Sequence, residues 1–132
     1  MNASVATVDG VFSVDVETEE VLGLDADASL PAPPTPDLGL PRVLAAAASG
    51  STVIAVVDRR PPLLVSHDAG STWREAGGGL PPGRAVAIAE DDPDLVLYAA
   101  RNRLYLSENG GRFWRALAPE LPEITAVAWH PS

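Results

Sequence analysis

Two stretches forty-one residues apart, Ser66 to Trp73 (SHDAGSTW) and Ser107 to Trp114 (SENGGRFW), carry Ser, then Asp or Asn, then Gly, then Trp at one spacing. Shifting the chain by the same interval also sets Leu80-Pro81 on Leu121-Pro122. It sets LAAAA from Leu44 on AVAIA from Ala85, and that in turn on AVAWH from Ala126. A repeat of this length holds one supersecondary unit that cannot bury its apolar face alone and must stack on its neighbours. That constraint excludes most single-core folds before any residue is assigned to a strand.

Within the unit, short apolar runs alternate with turn residues. RAVAIAE ends at the DDPD cluster; LVLYAA, LYLS and FWRAL follow, the last after the Ser-x-Asn-x-Gly turn. The preceding unit supplies RVLAAAA, TVIAVV, LLVS and TWREA in the same order. Runs of four to seven Val, Leu and aromatic residues between turn signals read as strands, four to a unit. Ala45 to Ala48 has helical propensity, but its alignment with AVAIA assigns it to an inner strand where small side chains crowd. An earlier, decayed copy, GVFSVDVETEE, keeps Ser13-Val14-Asp15 without the Gly and Trp, and the Pro-rich Pro31 to Pro41 reads as an irregular insertion.

The pattern Ser66, Asp68, Gly70, Trp73, and its second copy Ser107, Asn109, Gly111, Trp114, resembles the Asp-box, or BNR repeat, of sialidase-like β-propellers. The resemblance covers residues 42 to 132 well and the first 41 weakly. It implies an all-β propeller of four-stranded antiparallel blades, with each box at the turn between the third and fourth strands, opposite the ligand face. The residues suit a structural role: the carboxylate or amide closes the turn on nearby backbone N–H groups, the Gly takes a left-handed conformation, and the indole packs on the sheet.

The expected organisation is one domain of about three blades: residues 42–80, residues 84–121, and a blade in which N-terminal strands 1–24 are completed by a C-terminal strand, 124–132, with 25–41 as the Pro-rich loop. Three blades are too few to close a ring. The expectation is therefore a homodimer by exchange of terminal strands, giving six blades with two-fold symmetry, in which ITAVAWHPS pairs with a second copy and not with its own chain.

Charge narrows the function. The nine basic residues are all Arg, against 18 acidic ones, for a net charge of −9. Such a chain repels polyphosphate, which argues against nucleic-acid binding. No apolar run approaches the ~20 residues of a membrane helix, so no membrane insertion is expected. The N-terminus lacks a secretory-signal pattern, so the expected location is cytoplasmic. Strand alternation places Arg42 and Arg84, at the starts of inner strands, on one face with Arg59, Arg60, Arg101 and Arg103. Glu90, Asp91, Asp92 and Asp94 fall on the other. The arginines are candidate ligand-binding residues for an anionic ligand or a protein or glycan partner; the competing reading is solubilising tips paired with Asp58 or Glu123. The expected function is a non-catalytic binding or scaffolding module with no cofactor, no metal and no catalytic residue. The alternative is a glycan hydrolase, sialidase-like or other, whose site forms only in the assembled ring. Against it, the Phe/Tyr-Arg-Ile-Pro motif of sialidases is absent.

Overall fold

A computed structural model describes residues 2–30 and 42–130; the proline-rich insertion of residues 31–41 lies outside them. Every regular element among the described residues is a β-strand. The first sheet contains β1 (Asn2–Thr7), β2 (Gly10–Asp15), β3 (Glu20–Asp25) and β12 (Ile124–Trp129), in the order β12-β1-β2-β3. The second contains β4 (Val43–Ser49), β5 (Thr52–Val57), β6 (Leu63–Ser66) and β7 (Arg74–Ala76). The third contains β8 (Ala85–Ala89), β9 (Asp92–Ala99), β10 (Arg103–Ser107) and β11 (Arg115–Glu120). All pairings are antiparallel.

The alanine-rich run is strand, as its alignment requires: β4 pairs Ala46 with Ala55 and Ala47 with Ile54. Small side chains are needed there because β8 lies between β4 on one side and β12 on the other. Several boundaries differ from the sequence reading; β7, for one, begins at Arg74, two residues into TWREA. β9 begins at Asp92, inside the acidic cluster, with a register shift at Ile88/Ala89 that accommodates the start of the strand. β11 begins at Arg115, so Phe113 lies before the strand and is 76% exposed.

The third sheet is the centre of the arrangement. One cluster joins it to the first sheet through Ala3, Val5 and Val14 against Leu97, Leu104 and Leu117. Another joins it to the second through Ile54, Val56, Leu63 and Val65 against Val86, Val96 and Tyr98. Alternation explains the division: successive residues of β9 face opposite ways, Leu97 and Ala99 to one neighbour, Val96 and Tyr98 to the other. Tyr98 is fully buried, stands edge-on to Tyr105 and Trp114, and donates its hydroxyl to Pro81 O at 2.6 Å.

The expected exchange of terminal strands is overturned. β12 pairs with β1 of its own chain, Ala3 opposite Trp129 and Val5 opposite Val127. The exchange argument assumed that β12 could find no cover within one chain. Instead Ile124 is fully buried, and Val127 and Trp129 pack on the core shared with the third sheet. Trp129 Nε1 donates to Ala87 O at 3.1 Å, tying β12 to β8. Completing the sheet requires only that the two chain ends meet, which is independent of whether the three sheets close into a ring.

Candidate functional site

Both quoted stretches form the same turn. Ser66 Oγ donates to Asp68 Oδ1 at 2.7 Å and accepts from Gly70 N at 2.8 Å, while Asp68 Oδ1 accepts from Thr72 N at 2.8 Å. Ser107 Oγ donates to Asn109 Oδ1 at 3.0 Å and accepts from Gly111 N at 2.8 Å, and Asn109 Oδ1 accepts from Phe113 N at 2.9 Å. Gly70 and Gly111 have φ of 93° and 91°, a conformation that side chains resist. An amide oxygen replaces the carboxylate because the geometry asks only for acceptors. The carboxylate is nonetheless held at a pKa of about 2, first by the Thr72 hydroxyl, then by Ser66 and the Thr72 N–H. The earlier Asp15 retains part of the pattern, accepting from Glu17 N and Thr18 N.

The two indoles diverge. Trp114 packs edge-on to Tyr98 and donates Nε1 to Gly111 O at 3.0 Å. Trp73 lies instead on the far face of the second sheet with Ala55, Val57 and Leu64. His67, inside the first turn, sits between Thr52 Oγ1 and the Arg74 guanidinium, at 3.4 and 3.2 Å.

At the opposite ends of the strands, backbone bonds hold four of the six candidate arginines in place, and Arg59 and Arg60 lie in the loop closed by Val57 N donating to Pro62 O. Asp58 N donates to Arg42 O, Arg84 N to Ala99 O, Ala100 N to Arg103 O and Ile124 N to Arg101 O. Two adjoining clefts open there. One, of about 490 Å³, is lined by Pro81, Pro82, Arg84, Arg101, Arg103 and Tyr105, with Glu120. The other, of about 680 Å³, is lined by Arg60, Pro61, Pro62, Pro81, Pro82 and Tyr105, among others. They share the Pro81-Pro82-Tyr105 wall, and the Arg60–Pro61 peptide bond is cis. Arg42 and Arg59 lie at the same end but line neither cleft.

Three of these arginines have carboxylate neighbours. Arg103 meets Glu120 at 2.9 Å; Arg84 and Arg101 share Glu123 at 3.6 and 3.5 Å. Glu123 answers one of the two pairings expected from sequence. Arg60 has no ion-pair partner among the described residues, so around the clefts four guanidiniums face two carboxylates. All these groups are partly exposed, and each pair contributes little to stability.

A third depression, of about 550 Å³, was not legible in the sequence. Its walls include Ala46 and Ala47 of β4, Val86 to Ala89 of β8 and Val127 to Trp129 of β12, with Glu90, Asp91, Asp92 and His130 beside them. Small apolar residues of this kind read as ordinary core. His130 Nε2 is hydrogen-bonded to Ser4 Oγ across the first sheet.

No protein-family model matches the chain, and no curated protein matches it. Among solved structures, it is similar to one described as YCF48 bound to D1 peptide, with a TM-score of 0.52 and 16% identity, over 93% of this chain and 38% of that one. It is also similar to the Niastella koreensis GH74 enzyme, with a TM-score of 0.48 and 20% identity, over 87% of this chain and 18% of that one. Both are β-propeller-type proteins. The chain has a β-propeller fold. Its three sheets are blades, with β4, β8 and β12 as inner strands and β7, β11 and β3 as outer ones. It spans well under half the length of either similar structure.

Proposed function

We propose that the chain is a binding module that receives an anionic segment of a partner protein on the arginine face. The observation that carries this reading is the convergence of Arg60, Arg84, Arg101 and Arg103 on the wall formed by Pro81, Pro82 and Tyr105. The local excess of cations leaves guanidinium donors for carboxylates, which they engage in planar, charge-assisted pairs. The prolines supply a rigid apolar surface that loses little entropy on binding. Clefts of this size suit a few extended residues. A peptide bound to a similar structure supports a peptide as the class of ligand.

A hydrolase reading draws less support. Glycosidases use two carboxylates flanking the scissile bond. Glu120, in one arginine cleft, and Glu123, outside the clefts' lining, are engaged by arginines, and the carboxylates beside the inner-strand depression come from one turn. We further assign the two Ser-Asp/Asn-Gly-Trp turns to the Asp-box family. We also propose that two copies close a six-bladed ring by packing end blades together, without exchanging strands; sedimentation should then give twice the 13.7 kDa of the chain.

The binding reading is tested by fluorescence anisotropy with a labelled acetyl-Asp-Glu-Pro-Asp-Glu-amide probe. Arg60→Ser with Arg101→Ser should weaken binding by about tenfold, the loss of one or two charge-assisted bonds, with an unchanged melting temperature. Equal binding of a lysine-substituted probe, or insensitivity to the double substitution, would overturn it.

A further inference from the structure

The outer strand of a propeller blade leaves one edge of its sheet unpaired, with backbone N–H and C=O groups ready to accept another chain. The three outer strands differ in how that edge is treated. β7 is three residues long, too short to template much pairing. β11 is blunted twice: Pro119 has no N–H to offer, and the Ala118 N–H donates to Glu19 Oε1 at 2.7 Å. The same Glu19 pairs with Arg115 at 3.0 Å, so one side chain from the first blade seals the edge of the next.

β3 has none of these devices. Its sequence, EVLGLD, contains no proline and no cation, and all six residues are exposed. Val21, Leu22 and Leu24 are 42, 52 and 50% exposed. Register explains why three apolar side chains stand at this edge. Val21 pairs with Val14 and Leu24 with Phe12, while Gly23 pairs with Ser13, so Leu22 is the extra residue of a bulge that re-aims its side chain. The strand is bounded by Glu20 and Asp25.

We propose that the outer edge of β3 is a strand-addition site for an extended partner segment that is basic at both ends and apolar between. Main-chain hydrogen bonds would extend the four-stranded blade to five, and Val21, Leu22 and Leu24 would cover the apolar positions of the added strand. Charge selects among the possible occupants. A second copy of β3 laid antiparallel and centred would set Glu20 against Asp25 and Asp25 against Glu20, with like charges opposed at both ends. A segment ending in Lys or Arg turns both repulsions into attractions. This site lies at the blade's outer strand, and its occupant carries the opposite charge to that proposed for the arginine face, so each proposal can fail alone.

The probe is acetyl-Lys-Val-Thr-Val-Thr-Lys-amide, added to the full chain labelled with ¹⁵N. Binding should slow amide hydrogen exchange along β3 and shift its resonances, leaving Arg60 and Arg101 unmoved. Glutamate in place of both lysines should weaken binding about tenfold, from the change of sign at two cross-strand pairs. Leu24→Lys, at an exposed position, should weaken it as well. N-methylating the probe on its bonding edge should abolish binding without altering the protein. The proposal is overturned by absent binding, by equal affinity for the acidic probe, or by shifts centred on another surface. Exchange protection of β3 that rises with protein concentration alone would also overturn it, in favour of self-pairing.

Discussion

Gly83→Ala should be a damaging single-methyl change, because the added carbon falls on a fully buried ring. A Cβ at Gly83 would stand 2.3 Å from Tyr98 Oη and 2.5 Å from both Cε2 and Cζ, far inside van der Waals contact. Tyr98 cannot retreat easily. It is 0% exposed, its hydroxyl is bonded to Pro81 O, and its ring lies against Tyr105 and Trp114 with centroids 6.1 and 5.7 Å away. Either the backbone around Gly83 lifts or the ring turns; both break the Pro81 bond. Overpacking costs about 1–3 kcal/mol, and a buried hydroxyl left without its partner about 1–3 kcal/mol more. At roughly 3 °C per kcal/mol for a domain of this size, the melting temperature should fall by about 6–18 °C in calorimetry. Adding Tyr98→Phe to Gly83→Ala should cost less than the sum of the two, since both remove the same hydrogen bond. Because Pro81 forms part of the cleft wall, acidic-probe binding should weaken in the fraction that remains folded. A melting temperature within a degree or two of wild type would refute the close approach on which this argument rests.

Two further outcomes test the turns. Ser107→Ala removes the acceptor of the buried Gly111 N–H and should cost about 1–3 kcal/mol, read as a lower urea midpoint at unchanged slope; Ser66→Ala should cost less, because Gly70 is less buried. Asp68 supplies a pH dependence: its carboxyl titrates near 2 in the fold against 3.8 unfolded, so below about pH 4 the unfolded chain binds a proton that the native chain refuses. Its contribution should be complete above pH 4 and lost as pH falls towards 2. Melts from pH 5 to 2 should therefore fall more steeply for wild type than for Asp68→Asn, and parallel curves would contradict the assignment.

Much of the fold was legible because it is written locally and more than once. The strands of a repeat are bounded by their own turn residues, and alignment of Ala45 to Ala48 with AVAIA outweighed helix propensity. Asp68 and Asn109 could be read as turn-formers because their bonds reach only four residues ahead. What escaped depends on distance in the chain. The pairing of β12 with β1 joins residues 117 to 126 positions apart, and strand counting alone cannot say whether they belong to one chain or two. Nothing in the sequence marks Glu19 out, yet its left-handed backbone, φ 58°, accompanies its contact with Arg115 and Ala118. The inner-strand depression is built from alanines and valines whose spacing carries no chemical signal.

Charge separation along the strands sets how a partner can approach. Arg60, Arg84, Arg101 and Arg103 gather at the ends where the inner strands begin. Glu90, Asp91 and Asp92 occupy the turn at the other end of β8, with Asp68 and Glu108 in the turns after β6 and β10. With a net charge of −9, the whole molecule repels an acidic segment at long range. Near the surface the balance reverses: within about one Debye length, ~8–10 Å at physiological salt, the local arginines outweigh the distant carboxylates. On the reading proposed for the arginine face, an anionic partner would be admitted at one end and rejected at the other. The β3 edge, flanked by Glu20 and Asp25, selects for the opposite sign. If both proposals hold, two surfaces of one small fold would sort their ligands by charge before any side chain makes contact, a form of specificity that rests as much on repulsion as on fit.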